Sequence, residues 1–379
     1  MRVVFQIPEH GKAFVDGFVP LAEGLKELGF EFCANRDYWR NQTGAEWLFK
    51  KASQAECHGC DIAVYTNRSF QYCDDSNKTI TPPLDWLENI LPNQFNVLVD
   101  NDDGYETSAS RHYQKFDLVL RSHFNRRAFN AENNVPWVLG FGSRVIKAVD
   151  GTKLKFGDRS KAVLVNFGAS HGFEHGTRSL FTTPFLQSLK NRLASDLTKD
   201  DLTSQPGDLY NHLMWEQTQH RHCKAYYDRL TSTQTIAAFC GEMIPPLPYR
   251  PKYLVGGGKA KIKRAVYEAL AALDPRPARS IQWDSWRFWE GLVAGCLVFN
   301  IDLDYYGVQL PVMPENGEHY IGLRLNRIQR QVDEVLSDPT RMETIAAAGR
   351  AWAIEHYSPT AMAKRFLQIV NWQSANTTR

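Results

Sequence analysis

The chain has 379 residues, 43% of them hydrophobic, enough to bury a large core and to divide into two domains. Lys and Arg number 44 against 42 Asp and Glu, a formal net charge of +2, so no overall basic field argues for nucleic acid as a partner. No stretch approaches the roughly 18 apolar residues of a membrane span, and the opening MRVVFQIPEHG is too short an apolar run for a secretory leader. Seven cysteines form an odd count without a repeating framework, which favours a reducing compartment. The expectation is a cytoplasmic two-domain protein without a transmembrane segment, with peripheral membrane association left open.

In chain order, RVVFQI reads as an apolar strand. FVPLAEGLKELG then sets Phe18, Leu21, Leu25 and Leu28 at helical spacing and ends at Gly29. FEFCA, DIAVYT (61–66), NVLVD (96–100), FDLVL (116–120) and PWVLGFG (136–142) read as further short strands between polar turns. Near-continuous apolar strands separated by helices predict a parallel sheet covered on both faces, with ligand sites at its carboxyl edge. VDGTKLKFGDRSK (149–161) reads as a linker. The alternation then restarts with the strand AVLVNFG (162–168), a helix ending in AYYDRL, the strand TIAAFCG (235–241), a glycine-rich loop, and the helix KRAVYEALAAL. Residues 331–370 read as helical, with Ser358 capping a last helix that Pro359 begins. The expected fold class is α/β, two Rossmann-like doubly wound domains facing a cleft. Their bounds are 1–155 and 156–355, and a C-terminal helix at 356–379 crosses back to the first domain.

The stretch DSWRFWEGLVAGCLVFN (284–300) carries the most specific signal. Asp284 or Ser285 can cap a helix in which Trp286, Trp289, Leu292 and Val293 form the buried stripe. A cation in a first helical turn opposes the dipole, so Arg287 there points to an anionic partner such as a diphosphate. Glu290, about one turn on, can accept from a ribose diol. The plainer reading is an exposed Arg287–Glu290 pair at i, i+3.

The pattern S-x-R-x-x-E-x-x-x-x-G-C-x-V, preceded by YYDRLTSTQTIAAFCG, resembles the C-terminal domain of GT-B glycosyltransferases, nearest to family 1 and 4-like members and to the spore-maturation and exostosin-like branches. The closing helices from DPTRMETIAAAGRAW onward, and NVLVDNDDG and FDLVLRSHFN in the first half, are similar to the same group. The resemblance implies transfer of a sugar from a nucleotide-diphosphate donor to a hydroxyl of a glycan or other acceptor. Arg287 would hold the donor diphosphate, Glu290 its ribose, and Ser285 and Gly241 would lie beside them. An insertion at roughly 242–280 departs from the family pattern. A sugar-nucleotide epimerase and a non-catalytic nucleotide-sugar or glycan-binding module are the alternatives.

Five further segments bear on the chemistry. VNFGASHGFEHGTR (165–178) offers glycines for backbone approach to a phosphate and Arg178 as a ligand, or is a polar surface loop. VGGGKAKIKR (255–264) matches neither dinucleotide nor mononucleotide glycine motifs, yet sets Lys259 among cations at a helix start, where an anion fits. VLVDNDDG (97–104) resembles, in Asp100-x-Asp102, the paired carboxylates that hold a metal in the GT-A class, or is an acidic turn in which Asp102 or Asp103 faces the acceptor; an aspartate of 100–103, Asp102 and Asp103 foremost, is also a candidate catalytic base. PEHGKAF (8–14) closes the first strand, and its His10 has the pKa range of a general base, as in inverting GT-B enzymes; Glu9 is the alternative. CHGC (57–60) lacks a second ligand pair, so free thiols are expected rather than zinc. The resemblance implies no metal or other cofactor, because in that class arginines and helix N-termini neutralise the leaving group.

Overall fold

A computed structural model describes the chain except residues 9–16, 42, 67–71, 74–78, 81–89, 102–112, 129, 151–153, 168–175, 190–191, 200, 245–278 and 378–379. Two parallel sheets organise it. The first contains β1 (Val3–Phe5), β2 (Phe32–Ala34), β3 (Ile62–Thr66), β4 (Phe95–Asp100), β5 (Leu118–Arg121) and β6 (Asn134–Pro136) in the order β6-β5-β4-β3-β1-β2. The second contains β7 (Ser160–Leu164), β8 (Ala194–Asp196), β9 (Thr233–Ala237), β10 (Leu297–Ile301) and β11 (Ile321–Leu323) in the order β8-β7-β9-β10-β11. Both are doubly wound: the chain starts inside the sheet, moves one strand outward, then reverses to the other side. The reversal opens a crevice at the carboxyl ends of β1 and β3, and again at β7 and β9, the usual ligand position in such sheets.

The strands form because helices cover both faces. Val3, Val4 and Phe5 are each fully buried, as are Val97, Val99, Val298 and Phe299, the pattern of a two-sided sheet. The helix α1 (Phe18–Glu27) ends as its spacing predicts, with Gly29 left-handed at φ +77. Two expectations shift. Residues 137–142 are not a strand: β6 stops at Pro136, and the apolar run Trp137–Phe141 is buried as an irregular segment broken by Gly140 at φ +65. Periodicity cannot separate such burial from sheet pairing. The linker is also shorter, because α3 (Ser143–Asp150) reaches into it from one side and β7 from the other.

The remaining helices among the described residues are α2 (Gln54–His58), α4 (Gly176–Ser188), α5 (Leu209–Gln217), α6 (Lys224–Ser232), α7 (Trp286–Val293), α8 (Ile328–Leu336), α9 (Pro339–Tyr357) and α10 (Pro359–Thr377). Asp338 caps α9 through the Arg341 N–H at 3.0 Å, and Trp352 stacks on Trp289 of α7 at 6.0 Å. The last helix lies on α1. A Cβ at Gly24 would stand 1.9 Å from the Pro359 carbonyl oxygen, so only glycine admits this approach.

The lobes built on the two sheets meet along a polar seam. Asn125 Nδ2 donates to the carbonyls of Ser280 and Tyr306, both at 2.9 Å. Arg126 pairs with Asp304 at 2.7 Å. Gly307, at φ +77, packs where a Cβ would meet Asn125 Oδ1 at 2.7 Å. No described helix is long and apolar enough to cross a membrane.

Candidate functional site

The reversal point of the second sheet collects two arginines. Arg178 sits in the first turn of α4 and is 6% exposed; its Nε donates to the Phe239 carbonyl at 3.1 Å, just past β9. Its Nη2 lies 3.5 Å from Cys240 Sγ, and its guanidinium covers the Phe167 ring at 5.2 Å. Arg287 sits in the first turn of α7, and its Nε donates to the Asn166 carbonyl, just past β7. The two side chains therefore flank the crevice between β7 and β9. They are close enough to repel: burial first, and then the charge of Arg287, hold the Arg178 guanidinium below its usual pKa. Each arginine also opposes the dipole of its own helix. Their described partners are carbonyl oxygens and a thiol, and no described carboxylate pairs with either. Two guanidiniums so placed can hold an anion.

The surroundings extend the site. Ser285 is the N-cap of α7, but its hydroxyl makes no cap bond, and Oγ is buried with no hydrogen-bond partner among the described residues. The Thr177 hydroxyl, beside Arg178, is in the same state. Gly241 (φ +81) follows β9, and a Cβ there would stand 2.0 Å from the Ile281 carbonyl oxygen. The glycine is thus required by a close backbone approach, and its carbonyl accepts the Thr177 N–H at 3.0 Å.

Glu290 lies deeper and is 5% exposed. Tyr226 donates to Oε2 at 3.0 Å and Tyr227 to Oε1 at 2.8 Å, while Arg144 Nη1 from the first lobe donates to the Tyr227 hydroxyl at 3.0 Å. Burial, and then the Glu290 charge, push both phenols well above their usual range. Glu290 also lines a cavity of about 20 Å³ between the lobes, with Pro20, Leu139, Gly142, Arg144 and Trp286. The i, i+3 Arg287–Glu290 pair is not formed, because the first side chain turns to Asn166 and the second to the tyrosines. Trp286 departs from the expected buried stripe. It is half-buried with the guanidiniums of Arg144 and Arg221 at 5.4 and 5.5 Å from its ring, and Phe288 takes the core position instead.

His10, Glu9, Asp102, Asp103 and Lys259 lie outside the described residues, as do His171 and His175. Asp100 is committed to structure: it is buried, accepts from the Tyr113 hydroxyl at 2.8 Å, and pairs with Arg121 at 3.6 Å. The CHGC segment brings Cys60 Sγ to 3.7 Å from Cys33 Sγ as free thiols. Burial pushes the Cys33 thiol up to about 12, the state of an unreactive cysteine. No group of three His, Cys, Asp or Glu side chains that could hold a metal occurs among the described residues. Sequence reading missed Tyr226, Tyr227 and Arg144 as neighbours of Glu290. The paired tyrosines of AYYDRL were the available signal; Arg144 had none, since its contact crosses 83 positions.

No protein-family model matches the chain, and no curated protein matches it. Solved structures do. An alpha-glucosyltransferase in complex with UDP-glucose and DNA containing an abasic site aligns with a TM-score of 0.53 and 8% identity, covering 98% of each chain. An alpha-glucosyltransferase with UDP and a 13-mer DNA containing a HMU base gives 0.51 and 9%, over 98% of this chain and 99% of the other. The same enzyme name with UDP gives 0.50 and 8%, over 98% and 100%. Two of these structures contain DNA, which overturns the exclusion of nucleic acid drawn above from a net charge of +2. Net charge averages the whole surface, whereas binding depends on local charge, and this architecture occurs with DNA bound. Two doubly wound lobes about a shared seam, matched over nearly the full length, give this chain the GT-B glycosyltransferase fold.

Proposed function

We propose that the protein is a glycosyltransferase that moves a sugar from a nucleotide-diphosphate donor to a hydroxyl of an acceptor. The observation that carries this reading is the Arg178–Arg287 pair at the β7–β9 crevice of a GT-B fold. In the proposed reaction the acceptor oxygen forms a bond to the anomeric carbon, and the bond from that carbon to the diphosphate breaks. The diphosphate leaves with the electron pair, and the two guanidiniums stabilise the charge it gains. Ser285 Oγ, buried without a partner among the described residues, supplies a further donor to the same anion, and Lys259 is proposed beside it. Glu290, with lone pairs beyond those the tyrosines use, accepts from the donor ribose.

The first lobe is proposed to bind the acceptor. A hollow of about 300 Å³ between α1, residues 39–48 and Met214 of α5 shares Arg144 with the Glu290 cavity. His10, Asp102 and Asp103 are the proposed bases for the acceptor proton, since each follows a strand whose carboxyl end faces the cleft. The arginine pair supports a leaving group neutralised without a resident metal. A cytoplasmic location, with peripheral membrane association open, is proposed from the free thiols and the absence of a spanning helix among the described residues.

The test is thermal unfolding with a panel of nucleoside diphosphates and their sugars, with and without Mg²⁺. A ligand at 100 times its dissociation constant adds about 2.7 kcal/mol of stability. The same shift is expected to disappear in Arg287→Ala. An unchanged response there, or no response of the wild type to any nucleotide, would refute the reading. Transfer assays then include duplex DNA beside saccharide acceptors, because structures of this fold contain it.

A further inference from the structure

One buried carboxylate spans the two lobes outside the arginine pair. Asp284 stands just before α7 and is 4% exposed. Its Oδ2 accepts the Leu139 backbone N–H of the first lobe at 2.6 Å, and its Oδ1 accepts the Trp289 Nε1–H of α7 at 2.6 Å. Its own N–H donates to His123 Nδ1, again in the first lobe, at 3.4 Å. Leu139 belongs to the irregular segment 137–142 that walls the Glu290 cavity on the first-lobe side. Trp289 lies on the helix that carries Arg287 and Glu290.

We propose that Asp284 is a positioning residue for the transfer: its ionised carboxylate latches the 137–142 wall of the first lobe to α7, setting the acceptor side against the donor site. This rests on the donor reading above. Both oxygens accept from N–H donors. A proton on either one removes the negative charge that makes these bonds strong, so the contacts to Leu139 and Trp289 weaken. The latch is therefore tightest when Asp284 is ionised.

The other titratable groups facing it leave that state to Asp284 itself. Burial, and then the charge of Arg121, hold the His123 ring neutral, with its pKa down to about 3. Burial keeps the Tyr357 phenol protonated well above its usual range. Burial pushes Asp284 up to about 7, against the pull of the Leu139 and Trp289 donors. The sign follows from that raised value. Protonated Asp284 stabilises the fold below its ordinary value of 3.8, and that contribution is lost as pH rises through about 7. The latch forms over the same rise, so closure comes at the expense of stability.

The test follows the Leu139 amide and Trp289 indole N–H signals by ¹H–¹⁵N NMR across pH, on the full chain. Both are expected to titrate with one midpoint near 7, and turnover of UDP-glucose is expected to rise through the same midpoint. Asp284→Asn sets an NH₂ against one of the donors. It should abolish both transitions and lower kcat about 100-fold, with UDP affinity unchanged. Signals that titrate apart, do not titrate, or survive the substitution overturn the latch. So does a variant whose transitions are gone but whose kcat is intact. If the variant does not fold, the wild-type titration decides. Failure of the wild type to bind any nucleotide sinks the donor reading separately and leaves the NMR result to judge the latch.

Discussion

In the first lobe, Arg121 ends β5 and lies 3.6 Å from the carboxylate of Asp100, which ends β4. In the second, Arg178 and Arg287 flank the ends of β7 and β9 with carbonyls and a thiol as described partners. Both arrangements place guanidiniums at the carboxyl edge of a parallel sheet, where strand ends converge. The first is neutralised within the fold and serves stability. The second has no described carboxylate partner, so its repulsion stays within the fold, and an anion there would relieve it. Both share the sheet edge; they differ in whether the charge there is compensated.

Arg121→Ala should break this comparison most visibly. It removes the guanidinium 3.6 Å from the buried Asp100 carboxylate, at a cost of about 3–5 kcal/mol, to be measured by urea unfolding, while nucleotide affinity stays intact. Weakened UDP binding by that variant would erase the distinction between the lobes. Arg287→Ala should do the opposite. Loss of charge-assisted bonds is expected to cost roughly 1.5–3 kcal/mol of UDP binding by calorimetry, and the ligand-free protein should unfold no earlier than the wild type.

Gly24→Ala probes a different junction. The Cβ has no room beside the Pro359 carbonyl, so α10 must shift at a cost of about 1–3 kcal/mol, seen as a lower thermal midpoint; an unchanged midpoint would mean the helices are not held at that approach. Tyr227→Phe removes the hydroxyl between Arg144 and Glu290, for about 1–2 kcal/mol of stability, and should weaken UDP binding less than Arg287→Ala does. The smallest effect belongs to Arg126→Ala. Its pair with Asp304 is exposed on both sides, so less than about 1 kcal/mol is expected despite the 2.7 Å contact.

The elements were legible where local rules suffice. Apolar runs marked β1, β3, β4, β9 and β10, Gly29 marked the end of α1, and the dipole argument singled out Arg287 as a candidate anion ligand from its place in a first turn. The run 137–142 was misread because an inter-lobe seam buries apolar residues as a sheet does. For Glu290 the exposed i, i+3 pair stayed open beside the ribose reading, because spacing reveals a helical neighbour and nothing of the Tyr226 and Tyr227 hydroxyls that reach it from α6.

Sequence alone therefore determined the two-sheet plan and named Arg178 and Arg287 as candidate anion ligands, since backbone periodicity and helix polarity act over a few residues. Tertiary structure alone decided that Arg178 stands beside Arg287, that Asp100 is spent on Arg121, and that Asp284 reaches Leu139. Each of those joins residues from distant parts of the chain. Electrostatic pairing at such range depends on which strand ends the winding order brings together, and no local pattern encodes that.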